Sequence, residues 1–183
     1  MLRALVCVFA FLTLSVAALA DDGFQVRLHG QATGSIDIGE VSFAPALLAK
    51  SDQFGETELP RLAAYLREDL ERALVRANWH GMAIEQTHLD VTIVDVRPNR
   101  PTMTQLQNMD SVNYRDHTAG GAALAAELRT GDGDLIAEYS YEWFNPEPED
   151  TDSQGTWSDT RTAFGIFAED IAESLGIAPM PGS

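Results

Sequence analysis

The chain has 183 residues, 28 acidic against 12 basic side chains, a formal charge of −16 and a single cysteine. Such a balance argues against nucleic acid or anionic lipid as a partner, because both need a cationic surface. It also confines thiol chemistry to Cys7, which stands in the apolar opening segment.

In chain order, "MLRALVCVFAFLTLSVAALA" has the layout of a secretory signal. Arg3 supplies the basic start, Leu5 to Val16 the apolar core, and Ala18-Leu19-Ala20 the small residues ahead of a cleavage point after Ala20. The apolar run falls short of the ~20 residues that span a bilayer, so a stable membrane anchor is not expected. Cys7 lies away from the cleavage point, so a lipidated N-terminal cysteine is not expected either. The expectation is a periplasmic protein whose residues 21–183 form one domain. Loss of Arg3 takes the charge from −16 to −17, and a domain of this size can bury a sufficient core without disulfides.

Phe24 to Leu28 alternates apolar and polar residues, and Ile36-Asp37-Ile38 continues that period. The alternation breaks at Gly39-Glu40 and resumes in the other phase at Val41 and Phe43, which predicts a bulge at the glycine. Pro45 to Glu58 is irregular and reads as a surface connection. Leu59 to Trp79 predicts a helix, with Leu59, Leu62, Leu66, Leu70, Ala73, Leu74 and Ala77 on one stripe. Pro60 suits its first turn, and Gly81 is the expected C-cap. His88 to Val96 is rich in β-branched residues and apolar in both phases, as a strand covered on both faces toward its end would be. The segment 98–121 is long and polar for a connection in a compact domain.

"GGAALAAELRTGDGDLIAEYSYEW" carries alanines that suit a helix, but Asp132-Gly133 signals a two-residue hairpin turn between Gly131 and Asp134. The resulting register puts Ala122 opposite Trp143, Leu124 opposite Tyr141, Ala126 opposite Tyr139 and Leu128 opposite Ala137. Small residues then face large aromatics, while Glu127 meets Glu138 as an unfavourable like-charge pair. "NPEPEDTDSQG" is a loop by composition. Ser158 or Asp159 can cap a last helix that aligns Phe164, Phe167, Ala168, Ile171 and Leu175, with Gly176 past its end. The sum is an α+β fold: a two-layer sandwich with two main helices packed on a mixed or antiparallel sheet.

Chemistry is sparse. The four histidines, at positions 29, 80, 88 and 117, form no metal-binding pair and read as structural. "DTDSQGTWSDTR" places Asp150, Asp152 and Gln154 as oxygen ligands of a calcium-like loop. Its twelfth position, where a bidentate glutamate belongs, is Arg161, so the plainer reading is a solvated loop. Nucleophile and phosphate-loop signatures are absent, and no cofactor is expected. The most unusual stretch is "VRPNRPTMTQ". Arg97, Asn99, Arg100, Thr102 and Gln105, with Arg115 further on, gather guanidinium and neutral hydrogen-bonding groups in an acidic chain. They are candidates for gripping an anionic or carbonyl-bearing ligand, for which guanidinium forks are suited. The rival reading ties the same groups to nearby carboxylates as loop architecture. Arg97 is expected to be architectural and Arg100, between Pro98 and Pro101, to point outward.

The segments "DVRPNRPTMTQL", "YRDHTAGGAALAAELRTGDGDLIAEYSYEW" and "GTWSDTRTAFGIFAEDIAESL" resemble an uncharacterised family of exported proteobacterial proteins. That group is similar to envelope lipoproteins of unknown function, whose layout resembles the small α/β domain at the N-terminus of TolB-type periplasmic proteins. The chain departs from the lipoprotein members in lacking a lipidated cysteine. The resemblance implies a compartment and a fold, and carries over no catalytic residue. Two functions are open. One is a non-catalytic periplasmic binding or envelope-assembly module, whose partner is an envelope protein or a small ligand. The other is a carboxylate-dependent hydrolase of an envelope polymer.

Overall fold

A computed structural model describes residues 23–32, 34–77, 86–113, 115–146 and 155–177. The expected signal segment, the predicted end of the first long helix (Trp79, His80, Gly81) and the calcium-like positions Asp150, Asp152 and Gln154 lie outside the described residues.

Five strands form a mixed sheet: β1 (Phe24–Leu28), β2 (Ser35–Phe43), β3 (Gln86–Arg97), β4 (Gly121–Thr130) and β5 (Leu135–Phe144), in the order β1-β5-β4-β3-β2. Only β2 and β3 run parallel; the other pairs are antiparallel. The alternating segments at Phe24 and Ile36 are therefore the two opposite edges of the sheet. Parallel neighbours need a crossover, and here it contains α1 (Pro45–Leu48), α2 (Ser51–Phe54) and the long α3 (Glu58–Arg76). A short α4 (Met103–Asn108) interrupts the polar connection after β3, and α5 (Ser158–Ile177) closes the chain. The expected α+β two-layer sandwich is what forms.

The core lies between the sheet and the α3–α5 pair. The leucine stripe of α3 is buried from Leu59 to Leu74, and every predicted apolar position of α5 is buried, with Phe164 and Phe167 at 0% exposure. Their rings meet strand aromatics: Tyr141 lies 5.9 Å and Phe24 6.3 Å from Phe167, and Phe24 stacks 6.0 Å from Tyr139. The small-opposite-large register of the hairpin explains the space for these rings, since Ala122, Leu124 and Ala126 do pair with Trp143, Tyr141 and Tyr139.

Several local expectations are corrected. The turn itself holds three residues: Thr130 pairs with Asp134, donating to its carbonyl (2.9 Å), and Gly133 takes φ +93°. This is a turn closed by a left-handed glycine bulge, and it shifts the register by one residue at Arg129. The two apolar phases of β3 reflect a bulge between Ile93 and Asp95 rather than cover on both faces; Val94 remains 39% exposed. Pro45 to Glu58 is more than a surface connection, because Leu47 and Phe54 enter the core. Gly176 does not end α5, which runs on to Ile177.

The bulge predicted at Gly39 is present between Ile38 and Val41. Asp90 Oδ1 accepts the Glu40 N–H (2.9 Å), and Arg67 of α3 donates to the Ile38 and Gly39 carbonyls at 3.0 and 2.6 Å. The helix is thereby tied to the bulged edge. The Glu127–Glu138 pair is also real, and each carboxylate has its own cation: Glu127 takes Arg129 at 2.6 Å, and Glu138 takes Arg27 at 3.1 Å and His29 at 2.9 Å.

Candidate functional site

The stretch Val96 to Gln105 turns most of its polar groups inward. Asn99 is 1% exposed and makes three bonds that join three segments. Its N–H donates to the Thr156 carbonyl (2.7 Å), its carbonyl accepts from Thr118 N–H (2.9 Å), and its Oδ1 accepts from Asp159 N–H (2.8 Å). That last donor belongs to the first turn of α5, whose N–H groups have no partner within the helix. The cap expected from Ser158 or Asp159 thus comes from a residue some sixty positions earlier, while Ser158 Oγ accepts from Gly155 N–H instead (2.8 Å). Gly120 has to be small for the same reason, since a Cβ there would stand 2.5 Å from Asn99 Oδ1.

Thr160, fully buried one residue further along α5, donates its hydroxyl toward the carbonyls of Arg97 (3.2 Å) and Gly121 (3.0 Å). It joins the helix to the paired ends of β3 and β4. Arg97 lays its guanidinium 4.3 Å from the Phe144 ring centroid, which agrees with an architectural role. Arg100 is 3% exposed, so the expectation that it points outward is corrected. The two flanking prolines deliver it into the protein rather than to a lip. Thr102 and Gln105 form a reciprocal capping box on α4: Gln105 N–H donates to Thr102 Oγ1 (3.2 Å) and Thr102 N–H to Gln105 Oε1 (2.9 Å). Arg115 is exposed on the loop, its N–H donating to Asn113 Oδ1 at 3.1 Å. The six candidates therefore do not converge on a common surface.

An open groove of about 420 Å³ lies where the N-terminal ends of α3 and α5 meet the start of α4. Of the six sequence candidates, only Thr102 lines it. The other side chains come from the start of α3, the start of α4 and the segment that leads into α5. Arg61 and Tyr65 are one turn apart on α3, and Trp157, just before α5, stands four residues ahead of Arg161 in its first turn. Trp157 is 7% exposed, packs edge-on against Phe54 (5.5 Å) and donates its indole N–H to Glu58 Oε2 at 2.7 Å. Arg161 places its guanidinium 4.2 Å from the Tyr65 ring centroid. Arg61 stands 3.9 Å from the other Glu58 oxygen. The misfit residue of the calcium-like loop, Arg161, is thus a wall of this groove. On α3 the four-residue spacing of Arg61 and Tyr65 outside the leucine stripe was the available signal; Trp157 and Arg161 fall in phase with the α5 stripe and gave none.

Among the described residues, no group of three or more His, Cys, Asp or Glu side chains could hold a metal ion, and no helix is long and apolar enough to cross a membrane. Fold and site together define a two-layer α+β domain with an arginine-walled groove at one end of its helix pair. No family model matches the chain, and no curated protein matches it. Among solved structures it is similar to a single-substitution variant of the PelC dodecamer from Paraburkholderia phytofirmans, with 9% identity and a TM-score of 0.44 over 83% of this chain and 96% of that one. Nothing about the chemistry of this chain follows from that likeness.

Proposed function

We propose that the protein is an exported, non-catalytic module of the cell envelope that binds a small ligand or an envelope component through the groove between α3 and α5. The observation that carries the reading is the make-up of that groove. Among the described residues that line it, the one carboxylate, Glu58, is engaged by Trp157 and faces Arg61, and the remaining polar side chains are arginines, hydroxyls, the Trp157 indole and the Tyr65 phenol. Hydrolysis of a glycosidic bond by carboxylates needs two of them, about 5–10 Å apart across the bond. A cavity with one carboxylate already held in hydrogen bonds serves recognition better than acid–base chemistry. The signal-like opening residues and the resemblance to exported envelope proteins support the compartment.

The test combines retention with turnover. Mature protein is mixed with insoluble peptidoglycan or with an acidic polysaccharide gel, sedimented, and the supernatant assayed for soluble fragments. Retention without fragment release is expected. Fragment release that co-purifies with the protein and disappears in Glu58→Gln would replace this reading with the hydrolase. Absence of retention on both polymers would remove the envelope polymer as the ligand source. Export is checked separately by the intact mass of the periplasmic product, which should begin at Asp21.

A further inference from the structure

We infer that the groove takes a carboxylate- or phosphate-bearing ligand, with Arg161 as its principal grip and Arg61 as the second cation. The inference rests on the binding reading above and names the ligand class. It starts from how this acidic chain disposes of its cations. Arg27, Lys50, Arg72, Arg76 and Arg129 each stand within 3.2 Å of a carboxylate oxygen. Arg161 lies outside that set, as do Arg67, which donates to two backbone carbonyls, and Arg97, which lies over Phe144. Arg161 is exposed, and among the described residues no carboxylate lies within ion-pair distance of it.

Its guanidinium carbon stands 4.2 Å from the Tyr65 ring centroid, a cation–π contact that is not a hydrogen bond to its N–H groups. The planar fork of an arginine edge matches the paired oxygens of a carboxylate or phosphate. A side chain already laid on a ring also loses less rotamer freedom when a ligand arrives.

Arg61 adds to this because its neutralisation is incomplete. Glu58 is anchored through Oε2 to the Trp157 indole at 2.7 Å, which leaves Oε1 at 3.9 Å from the Arg61 guanidinium. Among the described residues that line it, two cations stand against one carboxylate in a protein of charge −16. Met103, 68% exposed on the opposite wall, gives the carrier of the anionic group an apolar surface to lie on.

Calorimetric titration of the full mature protein can use three probes: a galacturonate trisaccharide, glycerol phosphate and neutral maltotriose. At low salt at least one anionic probe should bind, maltotriose should not, and raised salt should weaken the binding. Arg161→Gln should lower affinity about tenfold or more, Arg161→Lys should restore only part of it, and Tyr65→Leu should weaken it while keeping the charge. The galacturonate and phosphate arms tell a uronic acid polymer from a phosphate-bearing one. Maltotriose binding as tightly as the anions would overturn the ligand class and leave the groove as a binding site. Binding of neither anion to folded protein would overturn the inference even if retention on an envelope polymer held. Unchanged affinity in both Arg161→Gln and Arg61→Gln, with wild-type melting, would place the anion elsewhere and overturn it as well.

Discussion

The polar connection after β3 and the groove at the helix ends each display arginines in an acidic chain, and they use them in opposite ways. In the connection, Arg100 is 3% exposed and Asn99 1%, with the Asn99 side chain capping α5. In the groove, Arg161 is exposed and stacked on Tyr65 without a carboxylate partner among the described residues. The difference teaches that closeness along the chain is a poor guide to a binding surface. A dense run of polar side chains near a strand end is first in line to accept from the unpaired N–H groups at the starts of neighbouring helices. Arg61 and Arg161, on the first turns of two separate helices, are the ones left facing solvent.

The largest expected effect separates the two regions directly. Asn99→Ala removes an acceptor buried against the α5 N-terminus and leaves the Asp159 N–H without its side-chain partner. It should cost about 2–3 kcal/mol, combining a lost cap with an unsatisfied buried donor. Arg161→Gln should stay within about 0.5 kcal/mol of wild type, as a surface change does. Urea unfolding midpoints at unchanged m-value measure both. Equal midpoints for the two variants would erase the distinction between architecture and groove.

The next test lies within the connection itself. Arg100→Ala should destabilise by about 2 kcal/mol, since truncating a buried long side chain removes packing as well as charge. Arg97→Ala gives up a solvent-facing contact with Phe144 and should lose only about 0.5–1 kcal/mol. A larger loss at 97 than at 100 would mean that the burial of Arg100 contributes nothing to folding.

Gly133→Val probes a region whose form was almost legible in advance. A Cβ at this glycine would meet nothing within 4 Å, so any loss comes from the backbone at φ +93°. About 1–2 kcal/mol is expected, against a few tenths for Gly155→Ala, whose backbone is not in the left-handed region. An unaltered midpoint for the valine variant would show the turn to be elsewhere.

What could be read from the chain followed the strength of its periodic signals. The leucine stripe of α3, the phenylalanine stripe of α5, the Gly39 bulge and the hairpin register from Ala122 to Leu128 rest on side-chain spacing, which packing rewards directly. The β3 bulge at Asp95 and the three-residue turn each displace a phase by one residue, and their signal is the same as that of a different structure: two-faced burial in one case, a tighter turn in the other. The site was less legible. Asn99 caps a helix sixty positions away, a contact with no local signature, so its polarity read as surface chemistry. Trp157, Arg161, Arg61 and Tyr65 converge only because α3 and α5 pack side by side. In the sequence Arg161 stands out only as the misfit of the calcium-like loop; its place beside Tyr65 depends on the packing of α5 against α3.

The smallest effect is expected from an arginine–carboxylate contact on the sheet, outside both regions. Hydrogen bonds from His29 and then Arg27 hold the Glu138 carboxyl below the ordinary carboxylate range. A carboxyl with a lower pKa in the folded than in the unfolded chain adds stability above its unfolded value, about pH 4. That contribution disappears as the pH falls through the folded value, because both states then carry the proton. Glu138→Gln should therefore lower the unfolding midpoint slightly at neutral pH and leave it equal to wild type in acid. The gap should also narrow at high salt, since both partners are open to water. The substitution removes one member of the Glu127–Glu138 like-charge pair as well, so relief of repulsion opposes the loss. A variant more stable than wild type at neutral pH would mean that repulsion across the hairpin outweighs the His29 and Arg27 contacts.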